Sequence, residues 1–565
     1  MKRIIFVFFI INAAYALCRT VSINTNLDSL CGVKINRDVN GKLLPRYYPE
    51  QIGKSYAHVL KLTSEFIKNG VPLEDATGKK MYYATCCFQG PHMTKSTEIV
   101  QGKSISKLSP NQQKTGIVAE GWMHNPACVF AGLTQSLALD YYPYSGDSAY
   151  VQLVGQMLDY QLKYGTTPSS YKWAEVPYAS SNPFDSLYYG ATKWENEAMR
   201  GDGMHGIEPD KVGELGYAYL KYYELTLQKK YLDAALSCAD ALVANINKDV
   251  LPNDSPFITT QTKNSPWPFR VNARNGIVLS TYCAHVIEPI KLLDEALRIK
   301  ANITLDTSRI RKYTLARKIA WVWLFSRNGP MKTYVWNAYF EDIPNDEGQA
   351  NRNQVSPMET ARYLLKNPEM DRNIDIDVPA LIYYVKSAFG SQDIDAINEQ
   401  TWCYEPMASH SARYASVCAM MYERTQNPWY KEQALRHFNY ATYMVMPNGV
   451  AWVGHTWPGS WWSDGYGDYI KHYFDGMAAI PEFAPEGEDH ILKSTSVVQK
   501  VYYTQNKIYF KTYDIKGKVI LKLTSKPKSV TVNQKAVNSI VWQQTSSGGI
   551  LRLQYAGGQE ITILK

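Results

Sequence analysis

The chain has 565 residues, 60 Lys and Arg against 52 Asp and Glu, and nine cysteines. That length exceeds one ordinary domain, so a large core with an appended module is expected. The net charge of +8 is mild for this size, no run of five basic residues occurs, and no zinc-finger spacing or RNA-binding aromatic motif is present, which argues against a nucleic-acid partner.

Residues 1–16, MKRIIFVFFIINAAYA, combine a basic start, an apolar stretch from Ile4 to Ile11 and small residues at Ala14 and Ala16, the pattern of a cleaved secretory leader. Cys18 follows, but Leu17 stands where a lipidation site wants a small residue, so a secreted or periplasmic protein is expected and a lipoprotein is the lesser reading. No later stretch approaches the roughly 20 apolar residues of a membrane-spanning helix. An extended segment is expected over residues 17–48.

Helical periodicity then runs through twelve segments, at about 51–69, 127–141, 146–164, 209–226, 229–246, 276–298, 306–325, 357–368, 374–388, 408–426, 429–445 and 465–479. The first carries one apolar stripe (Ile52, Tyr56, Val59, Leu60, Ile67) and reads as a surface helix, whereas ACVFAGLTQSLALDY from Ala127, GIVLSTYCAHVI from Gly276 and ASVCAMMY from Ala415 are apolar nearly all round and read as interior helices. Cys128, Cys283 and Cys418 fall in these stretches and are expected as small core residues, while Cys86 and Cys87 are less easily placed. Pro126, Pro209, Pro357 and Pro406 stand near expected helix starts, and Ser356 with Glu359 has the spacing of a capping box. Connections are short after each even helix and long before it, at about 70–126, 165–208, 247–275, 326–356, 389–407 and 446–464. Six antiparallel hairpins closing into a ring over residues 49–482 would bring all the long connections to one face, where function is expected. After a linker at 483–490, alternating runs such as Lys507 to Tyr513, Val519 to Leu523 and Ile550 to Tyr555 predict an antiparallel β domain over 491–565 that packs against the ring. The fold class is therefore mainly α: an (α/α)6 toroid of six helical hairpins with a small C-terminal β domain.

Ten of the 14 Trp fall in the long connections: Trp122, Trp173, Trp194, Trp267, Trp336, Trp402, Trp452, Trp457, Trp461 and Trp462. An indole offers a flat apolar face for a sugar ring and one N–H donor, so a cleft of Trp, Tyr, Asn, Arg and carboxylates suits a glycan; about half of the rings are expected only to staple loops to the scaffold. The segment WENEAMRGDGMHGIEPD from Trp194 gathers Glu195, Asp202, His205 and Glu208 before an inner helix, and Glu405 in WCYEPMASHSARY holds the equivalent place before another, with His410 and Arg413 following. Two carboxylates facing each other could protonate a leaving oxygen and activate water. A helix N-terminus favours the ionised form, so Glu208 and Glu405 are expected as bases, and Asp202 or Glu195 as the acid. Arg270, Asn272 and Arg274 in PFRVNARNG, Arg352, and Arg413 could converge on an acidic sugar, with ion pairs to Glu341, Asp342 and Asp346 as the alternative. Trp402, Tyr404, Trp461, Trp462 and Asp464 complete the expected substrate contacts. His205 or His410 with Tyr404 could instead abstract the proton beside a uronate carboxylate. His205 and Glu208 make at best half a metal site, so neither a metal nor another cofactor is expected.

The segments NARNG at Asn272, NRNQVSPMETARYLL at Asn351, SHSARYASVCAMMYERT at Ser409 and SDGYGDY at Ser463, with the twelve-helix pattern, resemble the six-hairpin glycosidases and polysaccharide lyases secreted by glycan-degrading bacteria. The resemblance spans about residues 45–490 and implies a glycoside hydrolase acting on a poly- or oligosaccharide, a lyase, or a noncatalytic glycan-binding protein. It implies no oligomeric state.

Overall fold

A computed structural model of the chain describes residues 27–73, 78–83, 87–89, 118–119, 126–179, 204–248, 265–283, 285–327, 329–336, 351–401, 403–456, 460–537 and 540–565. The expected leader at 1–16 lies outside these residues. Among the described residues there are twelve α-helices of eight or more residues: α1 (Ile52–Glu65), α2 (Pro126–Leu133), α3 (Ala149–Tyr164), α4 (Pro209–Thr226), α5 (Lys229–Ala244), α6 (Ile287–Arg298), α7 (Thr307–Phe325), α8 (Val355–Lys366), α9 (Ile374–Phe389), α10 (Ala408–Thr425), α11 (Pro428–Tyr443) and α12 (Ser463–Ala479). The even helices pack side by side in the order α2, α4, α6, α8, α10, α12 and back to α2, a closed inner ring, and the odd helices lie outside it. The molecule is an (α/α)6 toroid. Burial follows from composition: α8 is buried without interruption from Val355 to Leu364, whereas outer α7 buries only one stripe, Tyr313, Ala316, Ile319, Ala320, Trp323 and Leu324.

Where the chain enters or leaves helices, backbone chemistry decides the details. Past Leu133, α2 continues as a π-helix over Thr134–Tyr141, and the wider turn sets Gln135 Nε2 3.0 Å from Asp140 Oδ2, an i,i+5 pair that an α-helix would not align. The helix expected from Gly276 begins only at Ile287; Val278–Cys283 is a strand. The turn NARNG, with Gly276 at φ +76°, and the β-branched Ile277, Val278 and Thr281 form a hairpin there, a short apolar run whose period alone cannot separate strand from helix. Cys283 therefore sits in a strand, while Cys418 is fully buried in α10. The capping box also fails. Helix α8 starts two residues earlier than Pro357, Asn353 Oδ1 accepts from the Ser356 backbone N–H at 2.9 Å, and Glu359 points to charged partners described below. Pro406 stands in a strand before α10, not in its first turn.

Small sheets mark one end of the barrel. Strands β1 (Ser29–Leu30) and β2 (Val33–Lys34) form a ribbon in the N-terminal segment, which then runs along α11, with Arg46 donating to the carbonyls of Tyr443 and Val445. Strands β3 (Cys87–Gln89), β4 (Val118–Ala119), β5 (Gly206–Ile207), β6 (Pro268–Asn272), β7 (Val278–Cys283), β8 (Ile397–Asn398), β9 (Pro406–Met407) and β10 (Ser460–Trp462) all lie in the long connections before inner helices. They pair as β10-β3-β4, β5-β6-β7 and β8-β9.

The other end is closed by two antiparallel sheets from residue 490 onward. Strands β11 (His490–Ser494), β12 (Val498–Tyr503), β13 (Lys507–Thr512), β14 (Lys516–Leu523), β15 (Ser529–Val532), β16 (Lys535–Ala536), β17 (Ile540–Gln544), β18 (Gly549–Ala556) and β19 (Glu560–Leu564) order as β11-β14-β18-β17 and β12-β13-β19-β15-β16. Their contacts go to the C-terminal ends of inner helices: Gln499 Nε2 donates to the Glu224 carbonyl at 2.7 Å, Arg298 pairs with Asp514 at 2.8 Å, and His490 stacks on Tyr144 with ring centroids 3.8 Å apart. No described helix is long and apolar enough to cross a membrane.

Candidate functional site

The inner helices carry charge where a sealed core would carry none. On α8, Glu359 is 4% exposed, and its Oε1 lies 3.1 Å from Arg413 Nε on α10 and 3.3 Å from Lys471 Nζ on α12. Arg413, 1% exposed, also donates to Asp468 and places NH1 2.8 Å from His410 Nδ1, while Lys471 reaches Asp468 at 2.7 Å. Deeper toward the β domain, Arg362 Nε pairs with Asp475 at 2.6 Å, and Lys366 and Lys493 face the same carboxylate. Burial works against ionised Glu359, but Lys471, Arg362 and Arg413 hold its carboxyl well below the ordinary range. His410 is held well below its ordinary pKa by burial and by Arg413, so its ring is neutral at pH 7. Arg413 can only donate, so His410 Nδ1 accepts and the ring proton resides on Nε2.

On the opposite wall, α4 and α6 cross at Gly213, where an added Cβ would stand 2.4 Å from the Pro289 nitrogen. Across it, Glu214 lies within electrostatic range of Glu288. Glu214 is half-buried and makes no hydrogen bond or ion pair among the described residues. Burial, with Glu288 adding to it, pushes Glu214 up to about 7 against the pull of Lys211, Lys471 and Lys291. Glu288 goes the other way: burial opposes its charge, but Lys291, 2.7 Å away, keeps it ionised. Two neighbouring carboxyls thus differ in proton affinity.

The residues expected from sequence take several places. Glu208 is fully buried before α4 and accepts from Arg270 Nε of β6 at 3.0 Å, so both side chains are committed to a sealed ion pair that ties β6 to the helix start. Asn272 and Arg274 form the β6-β7 turn, where Asn272 Oδ1 accepts from the Arg274 backbone at 3.0 Å and the Arg274 side chain is exposed. His205 adopts φ +61° beside that turn, with Nδ1 3.2 Å from the Tyr171 hydroxyl. Glu405 is half-buried and faces His455, whose Nδ1 meets the Tyr440 hydroxyl of outer helix α11 at 3.0 Å. Tyr404 donates to the Ala388 carbonyl at 2.7 Å, at the end of outer helix α9. Arg352 NH1 reaches the Asn351 carbonyl at 3.0 Å. Of these residues, His410 and Arg413 join the lumen cluster.

Trp194, Glu195, Asp202, Trp402, Glu341, Asp342 and Asp346 lie outside the described residues. Trp461 and Trp462 pair through strand β10 with Phe88 and Cys87, and Asp464 is the second residue of α12; their side chains lie outside the description. Trp173, Trp267 and Trp336 are buried staples, Trp267 Nε1 donating to the Leu242 carbonyl at 3.0 Å.

Glu214, Glu288, Glu359, Asp468, Lys471 and His472 were not among the expected site residues. The available signal was charge inside helices otherwise apolar all round, as in PDKVGELGYAYL and METARYLL. Ligand atoms of Glu359, Asp468 and His472 lie within 4.8 Å of one another, yet Arg413 and Lys471 already occupy the carboxylates, so the donor set is neutralised by protein cations instead of requiring a metal.

No family model matches the chain, and no curated protein matches it. Among solved structures it is similar to a D-mannose isomerase, at 9% identity and a TM-score of 0.49 over 76% of this chain and 97% of that one. It is also similar to a cellobiose 2-epimerase from Bacillus thermoamylovorans, at 11% identity and 0.42 over 62% and 87%, and to an unsaturated glucuronyl hydrolase specific for heparin, at 10% and 0.40 over 76% and 97%.

Proposed function

We propose that this chain is a carbohydrate-active enzyme, a glycoside hydrolase that works on a poly- or oligosaccharide in the barrel lumen, outside the cytoplasm. The observation that carries the reading is Glu214, a half-buried carboxyl with no hydrogen bond or ion pair among the described residues, which keeps its proton near neutrality within electrostatic range of ionised Glu288. Glu214 would give its proton to the leaving oxygen, and Glu288 would polarise the attacking water or the charge that develops on the ring. A uronic acid or another acidic sugar is the substrate suggested by the arginines of the long connections, of which Arg274 in the β6-β7 turn has an exposed side chain. A β-elimination at such a sugar has less support, since His410 holds its proton on Nε2 and offers it where a lyase base must take one.

Incubation with a panel of acidic and neutral polysaccharides, followed by reducing-end and ultraviolet absorbance assays on the same samples, tests the proposal. New reducing ends without an absorbing unsaturated product are expected, and Glu214→Gln abolishes them. Appearance of the unsaturated product would establish the lyase reading in its place, and glycan binding with no turnover would leave a noncatalytic binder.

A further inference from the structure

The outer face of the β domain carries side chains that the packing of the domain does not use. In the sheet β12-β13-β19-β15-β16, alternation sends Val501, Ile508, Phe510, Ile561 and Ile563 inward, where all are buried, and the residues between them outward. Register sets the outward partners: Lys500 opposite Lys511, Tyr502 opposite Tyr509, and Tyr509 opposite Thr562 on the next strand. The Tyr502 and Tyr509 rings lie nearly parallel, 24° apart with centroids separated by 6.0 Å, a distance at which little of either ring covers the other. Lys507 Nζ stands 5.8 Å from the Tyr509 centroid. The toroid leaves this face open. Tyr502 is 60% exposed, and Lys500 and Lys507 are exposed beside it, whereas Tyr503 points to the other side of the strand and donates to the Pro143 carbonyl.

Charge gathers here without being balanced. On the outward side of β12, β13 and β19, Lys500, Lys507 and Lys511 face one acidic residue, Glu560, which stands opposite Lys511, and none of the three ammonium groups forms an ion pair among the described residues. Like charges directly opposite each other on neighbouring strands, as Lys500 and Lys511 are, cost stability. That cost is relieved by a ligand that brings anions to the lysines and a flat apolar surface to the rings. A uronic acid polymer brings both: the C–H face of each sugar suits a tyrosine ring, the hydroxyls suit Thr562, and the carboxylates suit the lysines. A neutral glycan would leave the lysines unused, and an apolar partner would strip their hydration without return.

We infer that this sheet face is a second glycan site that holds an acidic polysaccharide outside the barrel, with Tyr502 and Tyr509 as the stacking surface and Lys500, Lys507 and Lys511 as the contacts for its carboxylates. The site belongs to the β domain, so the stretch of polymer held there is separate from any that enters the lumen. The inference rests on the proposed function only in taking such a polymer to be what the chain meets, and binding is read without turnover.

The probes are polygalacturonate and its fully methyl-esterified form, which keeps the sugar rings and removes the charge, each cast into native gels through which the full chain is run. The unsubstituted chain is expected to be retarded by polygalacturonate, less so as NaCl is added, and to pass the esterified polymer nearly freely. Tyr502→Ala should raise the Kd for polygalacturonate roughly tenfold, Tyr502→Phe should hold it near the parent's, and Lys500→Gln should raise it as Tyr502→Ala does. Equal retardation by the two polymers, or none by polygalacturonate, would overturn the inference. So would a Kd that responds to Lys500→Gln but not to Tyr502→Ala, which is the behaviour of a surface that attracts any polyanion. Tyr502-dependent retardation in a chain that cuts no glycan would leave this site standing and remove only the lumen chemistry. Tyr502 and Lys500 are exposed, so both variants should keep the parent's melting temperature, and the comparison of the two polymers on the unsubstituted chain decides the matter of charge without them.

Discussion

A carboxyl that keeps its proton near neutrality must be denied both water and cations, and Glu214 meets this condition only in part: it is surrounded by protein yet still has solvent access, and three lysines tug at it. A general acid acts while protonated, so turnover is expected to fall as pH rises through about 7, and that alkaline limb disappears in Glu214→Gln along with about 10²–10⁴ of the rate. The melting temperature of that variant should hold or rise, since at high pH the wild-type chain buries a charge that Gln does not have. Arg270 gives the opposite outcome. Truncating it to Ala removes the guanidinium paired with the buried Glu208 carboxylate, and chemical denaturation should show a loss of about 3–5 kcal/mol. The sequence places Glu208 and Arg270 in adjacent connections but carries no sign of whether each faces water or the other. Glu359 illustrates the same limit more sharply. Ser-x-x-Glu before an apolar run is the pattern of a capped helix, and only the arrival of Arg413 and Lys471 from helices 50 to 110 positions further on turns that Glu inward.

Among the elements, the close crossing of α4 and α6 governs the site. Gly213→Ala would push its methyl into the Pro289 backbone, so the helices must separate; a destabilisation of about 1–3 kcal/mol by denaturant titration is expected, with turnover falling further than the stability loss alone explains. Such crossings also show why helices were legible from periodicity while the strands of the long connections mostly were not. Eleven of the twelve expected segments match their helices to within a few residues, because a 3.6-residue apolar period over four turns is hard to imitate. The two-residue strand β5 exists only because β6 from the next long connection pairs with it, and β8 and β9 exist only by pairing with each other across a loop. The stretch from Gly276 failed for a related reason: a run of six residues, VLSTYC, fits either period, and the preceding turn NARNG decided the outcome.

At the scale of the whole molecule, the toroid and the β domain share one structural surface. The Tyr144–His490 stack, the Gln499 bond to α4 and the Arg298–Asp514 pair fasten the sheets across the barrel floor, and Lys493 reaches in to Asp475. Calorimetry should accordingly record a single unfolding transition, and a chain ending at residue 489 should lose the folded toroid instead of releasing an independent module. The mouth of the barrel is where sequence reasoning stopped short, since strands as far apart in the chain as β3 and β10 become neighbours only through closure of the ring.

That closure joins residues far apart in the chain. Gly53 of α1 lies against the backbone of Ala484, where a Cβ would stand 2.2 Å from the carbonyl oxygen, so the last part of the toroid to be synthesised locks onto the first. Each hairpin can form as soon as its two helices exist, but the seam between Gly53 and Ala484 carries a chain-entropy cost roughly 3 kcal/mol greater than a twenty-residue loop. A nascent chain therefore carries an unfinished arc of helices, apolar flanks uncovered at both ends, until nearly 500 residues have emerged. Its assembly ends with a zipper-like joining of first and last helices, and chaperones that shield those two edges would act on the slowest step.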